Sequence, residues 1–425
     1  MTTDFIKELT WRGMIHDIIP GTEEALKKGP CVGYIGFDPT ADSLHIGSLV
    51  QIMTLVHFQR AGHTPLVLVG GATGMVGDPS GKSEERNLMD SDTLSHNVTC
   101  VQKQLASFLS FEGSNAAEMV NNYDWFKAFT FLDFIRDVGK HMTINYMMSK
   151  DSVKLRMESG MSFTEFSYQL VQGYDFYHLK QQKNCILQMG GSDQWGNIVT
   201  GTELIRRKTG EEAFALTTPL IKKADGSKFG KTESGNIWLA KERTSPYQFY
   251  QYWLNASDED ASTYMRVFTL WNQDQIEGLE SKHQEAPHLR QLQKALAEEI
   301  TTMVHGAQET KAAQLASEIL FGNATEEGLR ALSEEEFLRL FEGVPQATLP
   351  LSVLSDGLPI IEALAGSATF LKSKNEARRE LLSNAIAVNK KKVAESAVLT
   401  QNDLMNNKYI LLGKGKKTNF LLVFQ

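Results

Sequence analysis

Residues 36–48 read Gly-Phe-Asp-Pro-Thr-Ala-Asp-Ser-Leu-His-Ile-Gly-Ser, and this stretch decides the fold class of the chain. It follows a short apolar run, residues 31–35, that is typical of a buried strand. It leads into residues 45–60, where apolar side chains recur at helical spacing, and we expect Asp42 or Ser43 to cap that helix. A strand, a glycine–proline turn and a helix in succession predict a parallel α/β sheet.

The turn before this helix has features of a phosphate site. A helix N-terminus presents free N–H groups and a partial positive charge, and both attract phosphate. His45 could donate a hydrogen bond to a phosphate oxygen, and Gly47 would let a flat ring lie against the backbone. An incidental histidine in any α/β protein would give the same local pattern, so this stretch alone leaves both interpretations open.

Three apolar runs predict neighbouring strands, and an aspartate follows each of them after a glycine. The runs are residues 31–35, 64–69 and 185–189. The aspartates are Asp38, Asp78 and Asp193. Because ligands of parallel sheets bind beyond the carboxyl ends of the strands, these carboxylates could together hold amines and sugar hydroxyls.

The glycine-rich residues 70–83 come close to a phosphate-binding P-loop but miss its spacing. The P-loop needs four residues between its first glycine and Gly-Lys-Ser, whereas Gly77 leaves three, and Pro79 lacks an N–H. We therefore interpret the stretch as a glycine-rich turn close to a ligand rather than as the signature of a P-loop ATPase.

Two later segments carry polar side chains in informative positions. Tyr168, Gln172 and Asp175 share one face of a predicted helix, which suits the lining of a polar pocket or a wetted interface. Residues 222–235 are rich in lysine and glycine, so we expect a mobile surface loop. Its lysines could neutralise a polyphosphate transiently, although a plain linker would have a similar composition.

The composition limits the class of protein. A chain of 425 residues should form two or three domains, and no apolar run is long enough to span a membrane. The three cysteines are scattered and the ten histidines show no ligand spacing, so we expect neither disulfides nor a bound metal. The charged N-terminus has no apolar signal core, which favours the cytoplasm.

Charge is distributed unevenly along the chain. The net charge is −8, yet residues 366–425 hold eleven lysines and arginines against four carboxylates. This tail therefore carries +7 and residues 1–365 carry −15, which suggests a polyanionic partner for the tail, although a lone charge run is by default a solvated lysine-rich surface. We expect an RNA partner and these tentative contacts: Lys374, Arg378, Arg379, Lys390, Lys391, Lys414, Lys416 and Lys417.

The tail also has a recognisable order of elements. Ser373 and Glu376 predict a capping box that opens a basic helix, and strand-like runs follow at residues 409–412 and 419–423. The predicted fold class is α/β, with a Rossmann-like parallel sheet in the first domain. The predicted domains are a Rossmann-like catalytic domain (1–221), a lysine-rich loop and linker (222–245), an α-helical domain (246–322), a linker (323–350) and a small α+β RNA-binding domain (351–425).

Two short motifs resemble the signatures of class I aminoacyl-tRNA synthetases. His-Ile-Gly-Ser at residues 45–48 is similar to their His-Ile-Gly-His, and Lys-Phe-Gly-Lys-Thr at residues 228–232 is similar to their Lys-Met-Ser-Lys-Ser. The surrounding words, among them Gly-Gly-Ser-Asp-Gln-Trp-Gly-Asn at residues 190–197, resemble the bacterial tyrosyl-tRNA synthetase family. The likeness runs from about residue 5 to the C-terminus.

The resemblance implies a reaction and its partners. Such enzymes join L-tyrosine to ATP as tyrosyl-adenylate, release pyrophosphate, and transfer the tyrosine to tRNA(Tyr). They use Mg²⁺ with ATP, hold no tightly bound cofactor, work as homodimers and do not enter membranes. Two rivals share part of this pattern: an adenylyltransferase for a small acid that uses no tRNA, and a non-catalytic RNA-binding relative.

The resemblance also assigns roles to individual positions. For tyrosine, it implies Tyr34 and Asp175 at the phenolic hydroxyl, Asp78, Tyr168 and Gln172 around the amino group, and Gln194 near the carboxylate. For ATP, it implies Gly36, Asp38, Gly47, Ser48, Gly191, Asp193 and Lys231. For catalysis, it implies Thr40, His45, Lys228, Lys231 and Thr232. Ser48 replaces the second signature histidine and reaches less far.

Overall fold

The structure is a computed structural model, and the chain divides into two compact units. The structure describes residues 4–80, 89–157, 160–232, 235–321, 326–330, 334, 337–338, 341, 344–366, 369–415 and 418–425. One unit comprises residues 1–240 and 257–292, and the other comprises residues 241–256 and 293–425. The helical segment 246–322 thus contributes residues to both units. None of the described helices is both long and apolar enough to cross a membrane.

Helices account for much of both units. In chain order they are α1 (Phe5–Trp11), α2 (Thr22–Lys27), α3 (Ile46–Arg60), α4 (Thr73–Val76), α5 (Ser91–Ala106), α6 (Tyr123–Phe126), α7 (Phe131–Asp137), α8 (Ile144–Met148), α9 (Asp151–Met157), α10 (Phe163–Lys183), α11 (Trp195–Thr209), α12 (Pro246–Leu254), α13 (Asp258–Phe268), α14 (Gln273–Glu285), α15 (Gln291–His305), α16 (Ala307–Phe321), α17 (Glu326–Arg330), α18 (Ile360–Ala365) and α19 (Lys374–Leu382).

The strands form one sheet in each unit and two short ladders. They are β1 (Asp17–Ile18), β2 (Val32–Phe37), β3 (Thr64–Val69), β4 (Glu118–Asn121), β5 (Cys185–Gly191), β6 (Phe214–Thr218), β7 (Lys231–Thr232), β8 (Gly235–Asn236), β9 (Gln346–Leu349), β10 (Leu358–Pro359), β11 (Ile386–Val388), β12 (Lys391–Lys392), β13 (Val398–Leu399), β14 (Tyr409–Lys414) and β15 (Thr418–Phe424). The strands predicted at residues 31–35, 64–69 and 185–189 correspond to β2, β3 and β5.

The sheet of the first unit has the order β1-β6-β5-β2-β3-β4, and only the edge strand β1 runs antiparallel. From β2 the chain moves outward to β3 and β4, and it then returns to the other side of β2 for β5 and β6. The direction of winding therefore reverses between β2 and β5. In parallel α/β sheets this reversal opens a crevice at the carboxyl ends of the two strands.

The cap of α3 corrects the sequence prediction. His45, not Asp42 or Ser43, is the N-cap, and its Nδ1 accepts a hydrogen bond from the Gly47 amide at 3.0 Å. The helix starts this late because the residues before it pair with an extended segment: Leu44 O accepts from the Leu239 amide at 2.9 Å. The backbone up to His45 is thereby held in an extended conformation.

The chain between β4 and α9 forms α6, α7 and α8 as separate short helices. Thr130 and Thr143 accept hydrogen bonds from backbone amides at the starts of α7 and α8. Each threonine therefore begins a new helix.

The second unit contains the predicted C-terminal hairpin. Strands β14 and β15 pair antiparallel within a sheet of order β12-β11-β14-β15-β9. Ser373 caps α19 by accepting from the Glu376 amide, but the Glu376 carboxylate accepts from the Lys372 amide rather than completing the capping box at Ser373. The predicted linker 323–350 contributes buried side chains, including Phe337 and Phe341, to a cluster with β14 and β15.

Candidate active site

A cavity of about 300 Å³ lies beyond the carboxyl ends of β2, β3 and β5, where the winding of the sheet reverses. Its lining contains most of the residues predicted for the site. They are Tyr34, Gly36, Asp38, Thr40, His45, Gly47, Ser48, Asp78, Tyr168, Gln172, Asp175, Gly191, Asp193 and Gln194. The tertiary structure thus brings residues from β2 and α3 together with residues from α10 and β5, which lie more than a hundred positions further along the chain.

The buried end of the cavity is formed by Tyr34 and Asp175, which are 1% and 2% exposed. The Asp175 carboxylate accepts hydrogen bonds from Asn122 Nδ2 at 3.1 Å and from Trp125 Nε1 at 2.9 Å. The Tyr34 hydroxyl is buried and has no hydrogen-bond partner among the residues that the structure describes. A ligand hydroxyl would supply such a partner, since an unpaired buried polar group is costly.

Burial controls the protonation of this end of the cavity. It raises the pKa of Asp175 to about 8, although the hydrogen bonds from Asn122 and Trp125 oppose the shift. Burial and the nearby Asp175 carboxylate likewise raise the pKa of Tyr34 well above its usual value. Burial therefore favours the neutral forms of both Tyr34 and Asp175 in the free protein.

Asp38 and Tyr168 connect β2 to α10 across the cavity. The Tyr168 hydroxyl donates to Asp38 Oδ2 at 2.9 Å, and the Thr73 hydroxyl donates to Asp38 Oδ1 at 2.7 Å. Gly70 permits this arrangement, since a Cβ there would collide with both Asp38 and Thr73. Tyr168, Gln172 and Asp175 all line the cavity, so the face of α10 predicted from their spacing lines a polar pocket.

Asp78 and Gln194 form a second pair that crosses the cavity. Gln194 Nε2 donates to Asp78 Oδ2 at 2.7 Å, and Asp78 Oδ1 accepts from the Ser80 amide at 2.9 Å. Asn197 Nδ2 donates to Gln194 Oε1 at 3.3 Å. This network fixes the amide of Gln194 with its nitrogen toward the carboxylate.

The part of the cavity beside α3 has little side-chain bulk. A Cβ on Gly47 would lie 2.7 Å from His45 Cε1, and a Cβ on Gly191 would lie 2.6 Å from Asp193 Oδ1. Any larger residue at these positions would displace the histidine or the aspartate. The backbone there can therefore approach a flat ligand closely.

The lysine-rich loop touches the start of α3. Gly230 has φ +79°, and a Cβ there would lie 3.1 Å from Ile46 Cγ1 and 3.8 Å from the Gly47 nitrogen. Lys228 and Lys231 flank this contact and are exposed, but neither belongs to the cavity lining. The Thr232 side chain lies outside the described residues.

Sequence reasoning missed Asn122, Trp125, Gln51 and Gln188. Asn122 directly follows β4, so recognising residues 118–121 as another strand would have placed it at the same sheet edge as the three aspartates. Gln51 lies one turn after Ser48, lines the cavity and donates to the Thr218 hydroxyl at 2.9 Å.

The basic tail residues are largely paired with carboxylates. The pairs are Lys374 with Glu362, Arg378 with Glu395, Lys391 with Glu326, and Lys414 with both Glu376 and Glu380. Arg379 is the most open, with its side chain 75% exposed and 3.9 Å from Glu380. Burial lowers the pKa of Lys390 to about 8. Lys416 and Lys417 lie outside the described residues.

Comparison with known proteins agrees with this geometry. Residues 26–322 match the family described as tRNA synthetases class I (W and Y), and residues 336–422 match the tyrosine–tRNA ligase SYY-like C-terminal domain. The chain is 57% identical over 427 residues to the tyrosine–tRNA ligase of Bacteroides fragilis and 58% identical over 426 residues to that of Flavobacterium johnsoniae. Each alignment covers 99% of both chains.

A solved structure shows the same fold. The C-terminally truncated mitochondrial tyrosyl-tRNA synthetase of Aspergillus nidulans superimposes with a TM-score of 0.67 at 31% identity, covering 75% of this chain and 94% of that one. Sequence relatives, family matches and fold all agree. The chain belongs to the tyrosine–tRNA ligase family of class I aminoacyl-tRNA synthetases.

Proposed function

We propose that this chain activates L-tyrosine with ATP and then charges tRNA(Tyr). The tyrosine carboxylate attacks the α-phosphorus of ATP in line, forming tyrosyl-adenylate and releasing pyrophosphate. A ribose hydroxyl at the 3′ end of the tRNA then takes the tyrosyl group and releases AMP. The observation that carries the proposal is the buried pair Tyr34 and Asp175, which needs a hydroxyl-bearing ligand in an otherwise fitting cavity.

Tyrosine binds with its ring between β2 and α10. Its hydroxyl meets Tyr34 and Asp175, and phenylalanine is rejected because it would leave the buried Tyr34 hydroxyl without a partner and Asp175 without the hydrogen bond of the ligand. Its amino group faces the carboxylate of Asp78 and the side chains of Tyr168 and Gln172. Gln194, which Asp78 holds in place, lies near the tyrosine carboxylate.

ATP binds beside the start of α3, with Mg²⁺ as its counter-ion. The adenine lies against Gly47, where the backbone is open. The ribose meets Gly191 and Asp193, with Ser48 in the place of the second signature histidine. Thr40 and His45 contact the phosphates, and Gly36 and Asp38 complete this side of the site.

The first step requires no general base, because the attacking carboxylate is already ionised. Catalysis comes from positioning the two substrates and from stabilising the charge that grows on the phosphates. Thr40 and His45 do so from the cavity, and Lys228, Lys231 and Thr232 do so from the loop that closes on pyrophosphate. Their loss would lower the rate more than the affinity for tyrosine.

The exposed apolar residues of the first unit support a homodimer. Phe131, Leu132 and Phe163 are 63%, 76% and 69% exposed, which is unusual for such large side chains. A second copy of the chain is the occupant that the family relationship supports. Phe163→Asp should shift the protein to a monomer in sedimentation velocity.

The test of the function is ATP–pyrophosphate exchange on the purified chain with each amino acid in turn. Exchange with tyrosine and little with phenylalanine is the expected result. Exchange with another acid would overturn the assignment of the pocket. Exchange without subsequent charging of tRNA would instead favour an adenylyltransferase that uses no tRNA.

A further inference from the structure

One face of α13 lies under the lysine-rich loop, and neither signature motif includes it. Asp260, Tyr264 and Phe268 are four residues apart, so they lie in line along the helix. Tyr264 is 2% exposed and Phe268 is fully buried. These three side chains are called the α13 face below.

The loop is attached to the α13 face at two points. The Ala224 amide donates to Asp260 Oδ1 at 2.8 Å. The Phe229 ring stacks on Phe268, with centroids 5.3 Å apart and planes 12° apart, and it also tilts against Tyr264 at 5.0 Å. One anchor precedes Lys228, and the other lies directly beside it.

The same anchor fixes the loop against the start of α3. Gly230 follows Phe229, abuts Ile46, and accepts a hydrogen bond at its carbonyl from the Ile237 amide at 3.0 Å. The Ile237 carbonyl in turn accepts from the Ile46 amide at 3.0 Å. Gly230, which lies between Phe229 and Lys231, is therefore held against the start of α3.

The α13 face is itself held firmly. Arg12 is 3% exposed, and its guanidinium donates to the carbonyls of Thr269 at 2.9 Å and Trp271 at 2.6 Å, just beyond the end of α13. The Glu8 carboxylate accepts from Arg12 Nε at 2.8 Å. A buried arginine with all these partners fixes the end of the helix on which Phe229 stacks.

We propose that the α13 face is a docking platform for the lysine-rich loop, and that Phe229 and Asp260 are positioning residues for Lys228 and Lys231 during tyrosine activation. The inference rests on the proposed function. The phosphate-binding lysines lie on exposed chain, so their effective concentration at the pyrophosphate depends on these two anchors. The aromatic residue in the second position of the motif thus acts through packing rather than by touching substrate.

The test compares Phe229→Ala, Phe229→Met and Asp260→Ala in the full-length chain. Loss of the aromatic contacts should lower kcat/KM for ATP in pyrophosphate exchange by about 3- to 10-fold. The KM for tyrosine should stay unchanged, because neither anchor touches the tyrosine pocket. Phe229→Met should restore most of the activity, since methionine fills the same apolar gap.

Asp274→Ala is the matched control, because Asp274 occupies the first turn of α14 as Asp260 occupies that of α13. It should behave as wild type. The inference is overturned if Asp274→Ala loses as much activity as Asp260→Ala. It is also overturned if Phe229→Ala changes kcat/KM for ATP and the KM for tyrosine to the same extent, or changes neither.

Limited trypsin digestion tests the anchoring without relying on activity. Cleavage after Lys228 and Lys231 should be about 3- to 10-fold faster in Phe229→Ala than in wild type. If wild type catalyses no exchange but this acceleration occurs, the proposed function fails and the docking platform stands. Unchanged cleavage would reject the platform whatever the activity.

Discussion

The Tyr168 hydroxyl donates to Asp38 Oδ2 at 2.9 Å and so joins α10 to the end of β2 across the cavity. Asp38 has a further partner, because Thr73 also donates to it, and burial keeps Tyr168 neutral by raising its pKa well above the usual value. The amino-group end of the pocket is therefore preorganised before any ligand binds.

Tyr168→Phe should weaken tyrosine binding without unfolding the protein. The change removes one hydroxyl and leaves a half-buried Asp38 oxygen with one donor fewer. We expect the KM for tyrosine in pyrophosphate exchange to rise about 10-fold and to change more than the KM for ATP. An unchanged KM for tyrosine would contradict the assignment of this residue to the amino-group end.

Asp175→Ala should abolish tyrosine activation. It removes the acceptor that the buried Asn122 and the half-buried Trp125 share. Pyrophosphate exchange with tyrosine should fall to background. Near-normal exchange kinetics would refute the pocket, while loss of folded structure in circular dichroism would assign Asp175 a structural role instead.

Stability should fall as pH rises through neutrality because of Asp175. Its pKa is raised from 3.8 to about 8 in the folded chain, so between these values the folded state holds a proton that the unfolded state has lost. The contribution of Asp175 to the free energy of unfolding is complete below pH 4 and is lost as pH rises through about 8. In this range Asp175 lowers the free energy of unfolding by up to about 1.4 kcal/mol for each unit of rising pH.

The melting temperature of wild type and Asp175→Ala between pH 5 and pH 9 measures this contribution. The wild-type curve should decline more steeply toward pH 8 than that of the variant, since the variant lacks the titrating group. Parallel curves would show that Asp175 is already ionised in the folded protein at neutral pH.

Gly47→Ala should impair the chemical step. The added Cβ would lie 2.7 Å from His45 Cε1 and would displace the imidazole from its contact with the Gly47 amide. We expect kcat for exchange to fall about 10- to 100-fold, with the KM for tyrosine nearly unchanged. A variant with normal kcat would show that the chemical step does not depend on the position that the His45 imidazole has in wild type.

Arg379, the exposed arginine of α19, should contribute more to tRNA binding than Lys414, which is paired with two glutamates. Arg379→Ala should weaken tRNA charging and reduce by about one the slope of log affinity against log salt. Lys414, whose ammonium lies 3.0 Å from Glu376 and 3.3 Å from Glu380, should affect the stability of its domain rather than that slope. Equal changes in the salt slope would contradict this distinction.

Removing the C-terminal residues at Leu351 is a weaker test of tRNA binding than these substitutions. Phe337, Phe341 and Val344 precede the cut but pack in one cluster with Leu411 and Leu421, which follow it. Truncation would expose the aromatic rings and lower solubility for reasons unrelated to RNA. Such a chain should retain adenylate formation only if the cluster tolerates that exposure.

The sequence by itself determined the sheet that carries the cavity and many of the residues that line it. Apolar runs marked β2, β3 and β5, and helical periodicity put Tyr168, Gln172 and Asp175 on one face of α10. These patterns are local, because strand alternation and helix spacing depend on residues only a few positions apart.

Only the tertiary structure decided which groups satisfy one another. The partners of Asp175 lie 53 and 50 residues away, at the end of β4 and in α6, and the apolar runs did not predict β4. The start of α3 was set by pairing of Leu44 with Leu239, so local capping preferences placed it too early. The anchoring of Phe229 on α13 likewise joins segments distant in sequence. Hydrogen bonds and ring stacking require proximity in space, and residue spacing along the chain contains no record of which distant segments will meet.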